Sequence, residues 1–197
     1  MRLGILGGTF DPPHYGHIRL AESALKQLRL NKVLFAPVGV QPLKRDRVVS
    51  PAVHRARMVE LAIAGTPPFE LSRADLDRPG PHYSVDLIET IQRQHSGAAL
   101  WFVIGEDSLA DLLRWRDPVQ LVALARLAVL HRLGFEPDWA SLETALPGIR
   151  SWIDWIDAPE VDISSSAIRQ RVRDGQPLDH LVSAAVAAYI VEQRLYL

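Results

Sequence analysis

The sequence predicts an α/β protein with a doubly wound parallel sheet. Short apolar segments, of which residues 98–104 are the clearest, alternate with longer segments whose apolar residues recur at helical spacing. Strands that are separated by helices pair in parallel through right-handed crossovers. Glycine follows two of these strands, as Gly7-Gly8 and as Gly105, and such folds bind ligands beyond the carboxyl ends of their strands. Both glycine segments therefore mark the edge of the sheet where we expect a ligand.

The remaining elements can be assigned in chain order. Residues 1–6 predict the first strand, and the helix after His17 has one apolar stripe that runs from Ala21 to Leu28. Ser50-Pro51 predicts a helix start, because serine caps helices and proline is favoured in the first turn. The same criteria predict strands at residues 32–38, 69–71, 98–104, 126–131 and 152–156, and helices that begin at Ser84 and at Asp117-Pro118.

Composition limits the possible classes of function. The length suits a single domain over residues 1–197 with one sizeable core. Lys plus Arg number 22 and Asp plus Glu number 23, so the chain lacks the basic field on which non-specific nucleic-acid binding depends. The absence of cysteine excludes disulfides, thiolate metal sites and a cysteine nucleophile. Any recognition of phosphate must therefore be local.

The apolar runs of the sequence are short. Residues 3–6 are too few for the core of a signal peptide, and residues 181–191 are too few to span a bilayer. We therefore expect a cytoplasmic protein with neither a membrane nor a nucleic acid as its partner. The sequence leaves the oligomeric state open and allows a homo-oligomer.

The segment from Gly7 to His17 has the character of an anion site. Two glycines let the chain turn after the first strand, and the following helix presents unpaired N–H groups and the positive end of its dipole. His14 and His17 are three residues apart and can donate to phosphate oxygens on one side of the turn. Alternatively, the histidines cap the turn or bind a metal. Asp11 would repel a phosphate, so we expect its carboxylate to bond to backbone and order the turn.

A second cluster combines Ser164, Ser165 and Ser166 with Arg169. Hydroxyl groups before a helix can cap its N–H groups, which is a purely structural role. The same hydroxyls, the helix N–H groups and a guanidinium one turn later can instead surround a triphosphate. The residues alone leave both interpretations open.

Both clusters resemble signatures of one protein family. The string Gly-Gly-Thr-Phe-Asp-Pro-Pro-His-Tyr-Gly-His resembles the phosphate-binding motif of the HIGH-motif nucleotidyltransferase superfamily, and Ile-Ser-Ser-Ser-Ala-Ile-Arg resembles its second motif. The middle of the chain resembles one branch, the bacterial nicotinate mononucleotide adenylyltransferases. This likeness is carried by residues 55–63, 83–86, 102–109 and by Trp115. The resemblance covers nearly the whole chain and implies a Rossmann-like nucleotidyltransferase fold.

The resemblance also implies a reaction and a site. The phosphate of nicotinate mononucleotide would attack the α-phosphorus of ATP, and pyrophosphate would leave. Catalytic roles would fall to His14, His17, Lys44 and Arg169. ATP would contact Gly7, Gly8, Thr9, Phe10, His14, His17, Ser164, Ser165, Ser166 and Arg169. Nicotinate mononucleotide would contact Lys44, Ser84, Gly105, Asp107 and Trp115. Mg²⁺ would arrive with ATP, since it dehydrates reluctantly and no carboxylate cage is evident in the sequence.

The likeness has one departure and leaves alternatives. The family has histidine between proline and a basic residue after the second strand, where this chain has Pro42-Leu43-Lys44. Phosphopantetheine adenylyltransferase shares both end motifs, although residues 105–109 and Trp115 argue against it. Glycerol-phosphate cytidylyltransferase also has related motifs. A nucleotide-binding regulator without turnover is the alternative from another class, and the intact histidines and arginine argue against it.

Overall fold

In the computed structural model, which describes residues 1–39, 49–131, 136–159 and 162–197, the strands form one parallel sheet. The strands are β1 (Arg2–Gly8), β2 (Lys32–Pro37), β3 (Phe69–Leu71), β4 (Ala99–Gly105), β5 (Arg126–Leu130) and β6 (Ile153–Ile156). Within the described ranges every neighbouring pair is parallel, and the order is β3-β2-β1-β4-β5-β6. This is the order of a doubly wound fold, so the predicted fold class is confirmed.

Helices connect and cover the strands. They are α1 (Tyr15–Gln27), α2 (Ala52–Ile63), α3 (Ser84–Gln94), α4 (Glu106–Ala110), α5 (Pro118–Leu124), α6 (Trp139–Ala145), α7 (Ser165–Arg173) and α8 (Ala184–Glu192). The expected start at Asp117-Pro118 is confirmed: Asp117 is the N-cap, and its carboxylate accepts from the backbone N–H of Gln120. None of the helices in the described ranges has the length and apolar character needed to cross a bilayer.

The starts of α1 and α2 differ from those expected. His17 lies within the first turn of α1, because the helix begins two residues before it. Helix α2 begins at Ala52, and Ser50 does not cap it. The backbone N–H of Ser50 instead donates to the Asp11 carboxylate, and its carbonyl oxygen accepts from Arg55. A long-range contact therefore replaces the local cap that the sequence suggests.

Strand β4 shows why the sheet is apolar on both faces. Leu100, Phe102 and Ile104 belong to one buried cluster, and Trp101 and Val103 belong to another. Successive side chains of a strand point to opposite faces, so the two clusters lie on opposite sides of the sheet. Helices α3 and α5 contribute to the first cluster, and α1 and α2 contribute to the second.

A third apolar cluster joins α2, α7 and α8 away from the sheet. Met58, Ile168 and Val186 are fully buried in it. Packing against α2 fixes the position of α7, the helix that begins with the serine motif. The carboxyl ends of β1 and β4 lie side by side where the connections diverge to the two sides of the sheet.

Candidate active site

A cavity of about 320 Å³ opens at the carboxyl ends of β1 and β4. Doubly wound folds bind nucleotides at this position, and the volume lies in the range of small-molecule sites. Predicted site residues that border the cavity are Gly7, Gly8, Thr9, His17, Ser84, Gly105, Asp107 and Trp115. The structure thus brings residues from both predicted sets, those for ATP and those for the mononucleotide, to a single cavity.

Phe10 anchors the loop after β1 in the core. Its φ is +51°, in the left-handed region that bulky residues rarely adopt. Its side chain is buried, and its ring centroid lies 5.8 Å from that of Phe35 and 4.9 Å from that of His17. A Cβ on Gly8 would lie 3.1 Å from this ring, so glycine leaves room for it. The buried ring thereby holds the backbone of Gly8 and Thr9 at the wall of the cavity.

His14 and His17 contact each other at the start of α1. His14 is the N-cap residue, and its backbone N–H donates to Nδ1 of His17 at 3.2 Å. The centroids of the two imidazoles are 3.8 Å apart. Because Nδ1 of His17 accepts this hydrogen bond, the neutral ring carries its proton on Nε2. His17 therefore borders the cavity with a ring whose other nitrogen is a donor.

The His14 ring packs against the His17 ring at an interplanar angle of 33° and does not itself border the cavity. Its side chain is buried, and its Nδ1 has no hydrogen-bond partner within the part of the chain that the structure describes. Burial lowers the pKa of His14 from 6.5 to about 4, so the ring is neutral at pH 7. A Cβ on Gly16 would lie 2.9 Å from this Nδ1, which explains the glycine before His17.

The lowered pKa of His14 predicts a pH dependence of stability. Between pH 6.5 and about 4 the unfolded chain binds a proton at His14 that the folded protein does not, so acidification destabilises the fold. Over this window we expect a loss of about 3 kcal/mol from this residue. The test is urea unfolding of wild type and His14→Asn at pH 7 and pH 4.5, since asparagine is a good N-cap. Equal losses of stability in the two proteins would contradict the prediction.

The serine motif packs against the loop that precedes α1. The Ser165 hydroxyl donates to the carbonyl oxygen of Pro12 at 2.8 Å. The Arg169 guanidinium donates to the carbonyl oxygen of Asp11 at 2.8 Å. These bonds connect residues that are 153 and 158 positions apart in the sequence. The two predicted phosphate motifs are therefore neighbours in the fold.

The other two serines have different surroundings. Ser164 is the N-cap of α7, and its hydroxyl oxygen accepts from the backbone N–H of Ala167 at 3.2 Å. The Ser166 hydroxyl accepts from Arg169 at 3.2 Å. The structural role considered for the cluster thus applies to Ser164. The described wall of the cavity does not include His14, Ser164, Ser165, Ser166 or Arg169.

Ser84 and Trp115 border the cavity from segments that follow β3 and β4 in the chain. Ser84 is the first residue of α3 and makes no capping hydrogen bond, because Tyr83 occupies the N-cap position. Trp115 both packs on the core and borders the cavity, edge-to-face with Phe102 at 6.0 Å between ring centroids. The backbone N–H of Trp115 donates to the carbonyl oxygen of Leu112 at 3.0 Å. A backbone N–H that binds a ligand at this place therefore belongs to a neighbouring residue.

Gly105 and Asp107 complete this part of the site. Gly105 is the N-cap of α4, and Asp107 lies in the first turn of that helix. In the described ranges no group of three or more His, Asp or Glu side chains is arranged to hold a metal ion. Pro42, Leu43 and the predicted site residue Lys44 lie outside the described residues.

Two arginines of the cavity are not among the sequence-predicted residues. Arg114 and Arg116 flank Trp115 and border the cavity. The Arg116 guanidinium lies 5.4 Å from the centre of the Tyr83 ring, and Arg114 forms an exposed ion pair with Asp111. Their positions next to Trp115 in the sequence are the signal from which both arginines could have been predicted as site residues. They add positive charge to the side of the cavity that Ser84 and Trp115 form.

Arg55 is a third residue with a role that sequence analysis did not assign. It is 2% exposed, and its guanidinium donates to four backbone carbonyl oxygens. These belong to Thr9, Val38, Gly39 and Ser50, at distances of 2.7 to 3.2 Å. Burial lowers the pKa of Arg55, and the Asp11 carboxylate raises it in part. The sequence signal for its burial is helical spacing, because Arg55 lies three and four residues before the buried Met58 and Val59 of α2.

The Asp11 carboxylate bonds as expected and orders the turn. It is 3% exposed and accepts from the backbone N–H of Ser50 at 3.1 Å. Its second oxygen accepts from the Tyr196 hydroxyl at 2.8 Å. The prediction that Asp11 bonds to backbone is confirmed. The hydrogen bond from Tyr196 was not predicted from the sequence.

Comparison with known proteins agrees with this geometry. Residues 5–171 match the model of the cytidylyltransferase-like family. The chain is 42% identical over 196 residues to a Herpetosiphon aurantiacus protein named "Probable nicotinate-nucleotide adenylyltransferase", covering 100% of this chain and 98% of that protein. A Thermomicrobium roseum protein of the same name is 42% identical over 195 residues, covering 99% of this chain and 91% of its own length.

Solved structures show the same fold. Plasmodium falciparum nicotinic acid mononucleotide adenylyltransferase complexed with NaAD has a TM-score of 0.76 at 22% identity, covering 99% of this chain and 97% of that chain. The same enzyme complexed with APC has a TM-score of 0.76 at 20% identity, covering 99% and 96%. The identity to the full-length relatives decides the family. This chain belongs to the cytidylyltransferase-like family of nucleotidyltransferases and, within it, to the nicotinate-nucleotide adenylyltransferases.

Proposed function

We propose that the protein transfers the adenylyl group of ATP to nicotinate mononucleotide, forming deamido-NAD and pyrophosphate. One observation supports this most directly: a single cavity is bordered both by the glycine loop with His17 and by Ser84, Asp107 and Trp115. One set suits phosphates, and the other offers an aromatic ring and polar groups to a pyridine nucleotide. The names of the full-length relatives support the same reaction.

The reaction needs no base from the protein. The phosphate of nicotinate mononucleotide is ionised at pH 7 and attacks the α-phosphorus of ATP in line. The bond between the α-phosphorus and the oxygen that bridges to the β-phosphorus breaks, and the electron pair leaves with pyrophosphate. Catalysis then consists of positioning and of stabilising charge on phosphate oxygens.

The glycine loop and α1 would stabilise the α-phosphate. We assign the Nε2 proton of His17 to an α-phosphate oxygen in the transition state, since Nδ1 of His17 already accepts from His14. His14 contributes through its contact with His17. Gly7, Gly8, Thr9 and Phe10 supply backbone groups to the same phosphate. Burial lowers the pKa of His14, so its ring supports His17 without adding a buried charge.

The serine motif would hold the phosphates that leave. We assign the N-terminus of α7, with Ser164, Ser165 and Ser166, and the Arg169 guanidinium to the β- and γ-phosphates. Lys44 would lie near the reacting phosphates and contact nicotinate mononucleotide. Mg²⁺ that arrived with ATP and water would supply neutralisation of phosphate charge, and the chain's own donors would orient the triphosphate.

The remaining side of the cavity would bind nicotinate mononucleotide. Trp115 offers its ring to the pyridine, and the first turn of α3 at Ser84 offers N–H groups to the carboxylate. Asp107 accepts from a ribose hydroxyl, beside the backbone of Gly105. Arg114 and Arg116 favour an acceptor that carries negative charge.

We also propose the cytoplasmic location that the sequence suggests.

Pyrophosphate release by the purified protein tests this function. MgATP is supplied with nicotinate mononucleotide, nicotinamide mononucleotide, phosphopantetheine or glycerol phosphate in parallel reactions. We expect nicotinate mononucleotide to give the highest kcat/KM, because N–H groups and two arginines favour a carboxylate over an amide. Turnover of phosphopantetheine alone would replace the proposal with that reaction. ATP binding without pyrophosphate release from any acceptor would indicate a regulator.

A further inference from the structure

Asp11 connects four separate segments of the chain, including its own loop between β1 and α1 (residues 9–14, the phosphate loop). Its carboxylate oxygens accept from the Ser50 backbone N–H, just before α2, and from the Tyr196 hydroxyl, beyond α8. The carbonyl oxygen of the same residue accepts from Arg169 of α7. None of these contacts involves the cavity wall directly, so Asp11 acts on the site through its neighbours.

Tyr196 is held in a conformation that it would not adopt without its contacts. Its φ is +72°, in the left-handed region that is uncommon for a bulky residue. Such conformations persist where surrounding contacts determine them. The preceding residue, Leu195, is buried in the cluster with α2 and donates its N–H to Ile190 at 3.0 Å. The Tyr196 hydroxyl thereby reaches Asp11, and its oxygen lies 3.8 Å from the sulfur of Met58.

The hydroxyl of Tyr196 remains a donor throughout the working pH range. Burial, together with the charge of Asp11, raises the pKa of Tyr196 far above its ordinary value. The phenol therefore keeps its proton, and the hydrogen bond to the carboxylate is charge-assisted. A phenylalanine in its place would leave one buried oxygen of Asp11 without this donor.

We propose that Tyr196 is a positioning residue for adenylyl transfer, which fixes Asp11 and through it the direction of Arg169. The inference rests on the function proposed above. Arg169 donates with one nitrogen to Asp11 and with the other to Ser166, so a shift of the Asp11 backbone redirects the guanidinium. Arg169 meets the leaving phosphates, and misplacement of such a group by about 1 Å can cost about 100-fold in rate.

The test compares two tyrosines whose hydroxyl groups each bond to another side chain. Tyr196→Phe removes the bond to Asp11 and the weak contact with Met58. Tyr189→Phe removes a 2.9 Å bond between Tyr189 of α8 and His54 of α2, neither of which borders the cavity. We expect Tyr196→Phe to lower kcat about 10-fold and weaken MgATP binding about 3-fold, with KM for nicotinate mononucleotide unchanged. We expect Tyr189→Phe to leave all three values within 2-fold of wild type.

A double variant tests whether the effect passes through Arg169. In an Arg169→Ala background, Tyr196→Phe should change kcat by less than 2-fold, because the group that it positions is gone. A full 10-fold effect in that background, or equal kinetics of the two tyrosine variants, overturns the proposal. If Tyr196→Phe does not fold, Asp11→Asn takes its place and should give the same loss of kcat.

Failure of the proposed reaction is recognised separately. A wild-type protein that releases no pyrophosphate with nicotinate mononucleotide refutes the proposed function. The role of Tyr196 is then measured from MgATP affinity alone. A 3-fold weaker affinity in Tyr196→Phe than in Tyr189→Phe supports it, and equal affinities overturn it.

Discussion

Replacing His17 by alanine is expected to lower kcat by about 100- to 1000-fold with little change in the affinity for ATP. This is the usual loss when one preorganised donor to a developing negative charge is removed. The effect falls on kcat because the proposed hydrogen bond from Nε2 to the phosphate oxygen is strongest in the transition state. Steady-state kinetics and calorimetric titration with MgATP measure the two quantities. A weaker ATP affinity at unchanged kcat would mean that His17 serves only the ground state.

Two further variants separate the donor role of His17 from its place in the loop. His17→Asn retains an acceptor near Nδ1 for the His14 N–H and removes Nε2, so we expect it to be as defective as alanine. Near-normal kcat in this variant would contradict the transition-state role and leave His17 as a cap. His95→Ala, at the far end of α3 and outside the cavity wall, is the control and should match wild type.

Replacing Arg55 by methionine is expected to cost about 3 to 5 kcal/mol of unfolding free energy. Methionine fills a similar volume but donates nothing, so four carbonyl oxygens around a buried position lose a charged partner. Arg55→Lys should be intermediate, because one ammonium cannot reproduce the geometry of the guanidinium. Urea unfolding measures both variants. The loops after β1 and β2 would lose their common attachment, so activity should fall with stability.

Arg57 provides a matched control on the same helix. It pairs with Glu60 at 2.8 Å, and both side chains are about half exposed, 52% and 45%. Such a pair contributes about 0.5 kcal/mol or less, so Arg57→Met should leave stability nearly unchanged. Equal effects at the two positions would show that the hydrogen bonds of Arg55 do not stabilise the fold.

Sequence patterns predicted the fold because its elements depend on local signals. The apolar run of β4 and the two glycines of β1 can be recognised in the sequence. The run lies where it was expected, and the glycines form the end of β1 instead of following it. The places of Gly8 and His17 in the cavity wall follow from the same signals. These features need only periodicity, turn chemistry and the rule that parallel strands end at one edge. Trp115, in contrast, was expected at the site only from the resemblance to the family.

Contacts between distant segments could not be predicted in this way. Ser50 has the character of a helix cap, yet its N–H bonds to Asp11, because tertiary partners outweigh a local preference. Likewise, Ser165 donates to Pro12 across 153 positions, a pairing that no spacing rule encodes. The resemblance implies three serines around a phosphate. No local signal distinguishes the serine that caps α7 from the serine that contacts the loop.

The long sequence separation between the phosphate loop and its partners has a consequence for the timing of folding. The phosphate loop follows the first strand, but its partners Arg169 and Tyr196 come 158 and 185 positions later. Contacts of such sequence separation close large loops and form late. During synthesis the loop therefore emerges long before the residues that fix its carbonyl and carboxylate groups. A nascent chain can already have formed its first strands and still be inactive. Catalytic activity arises only when the segments with Arg169 and Tyr196 pack against the phosphate loop.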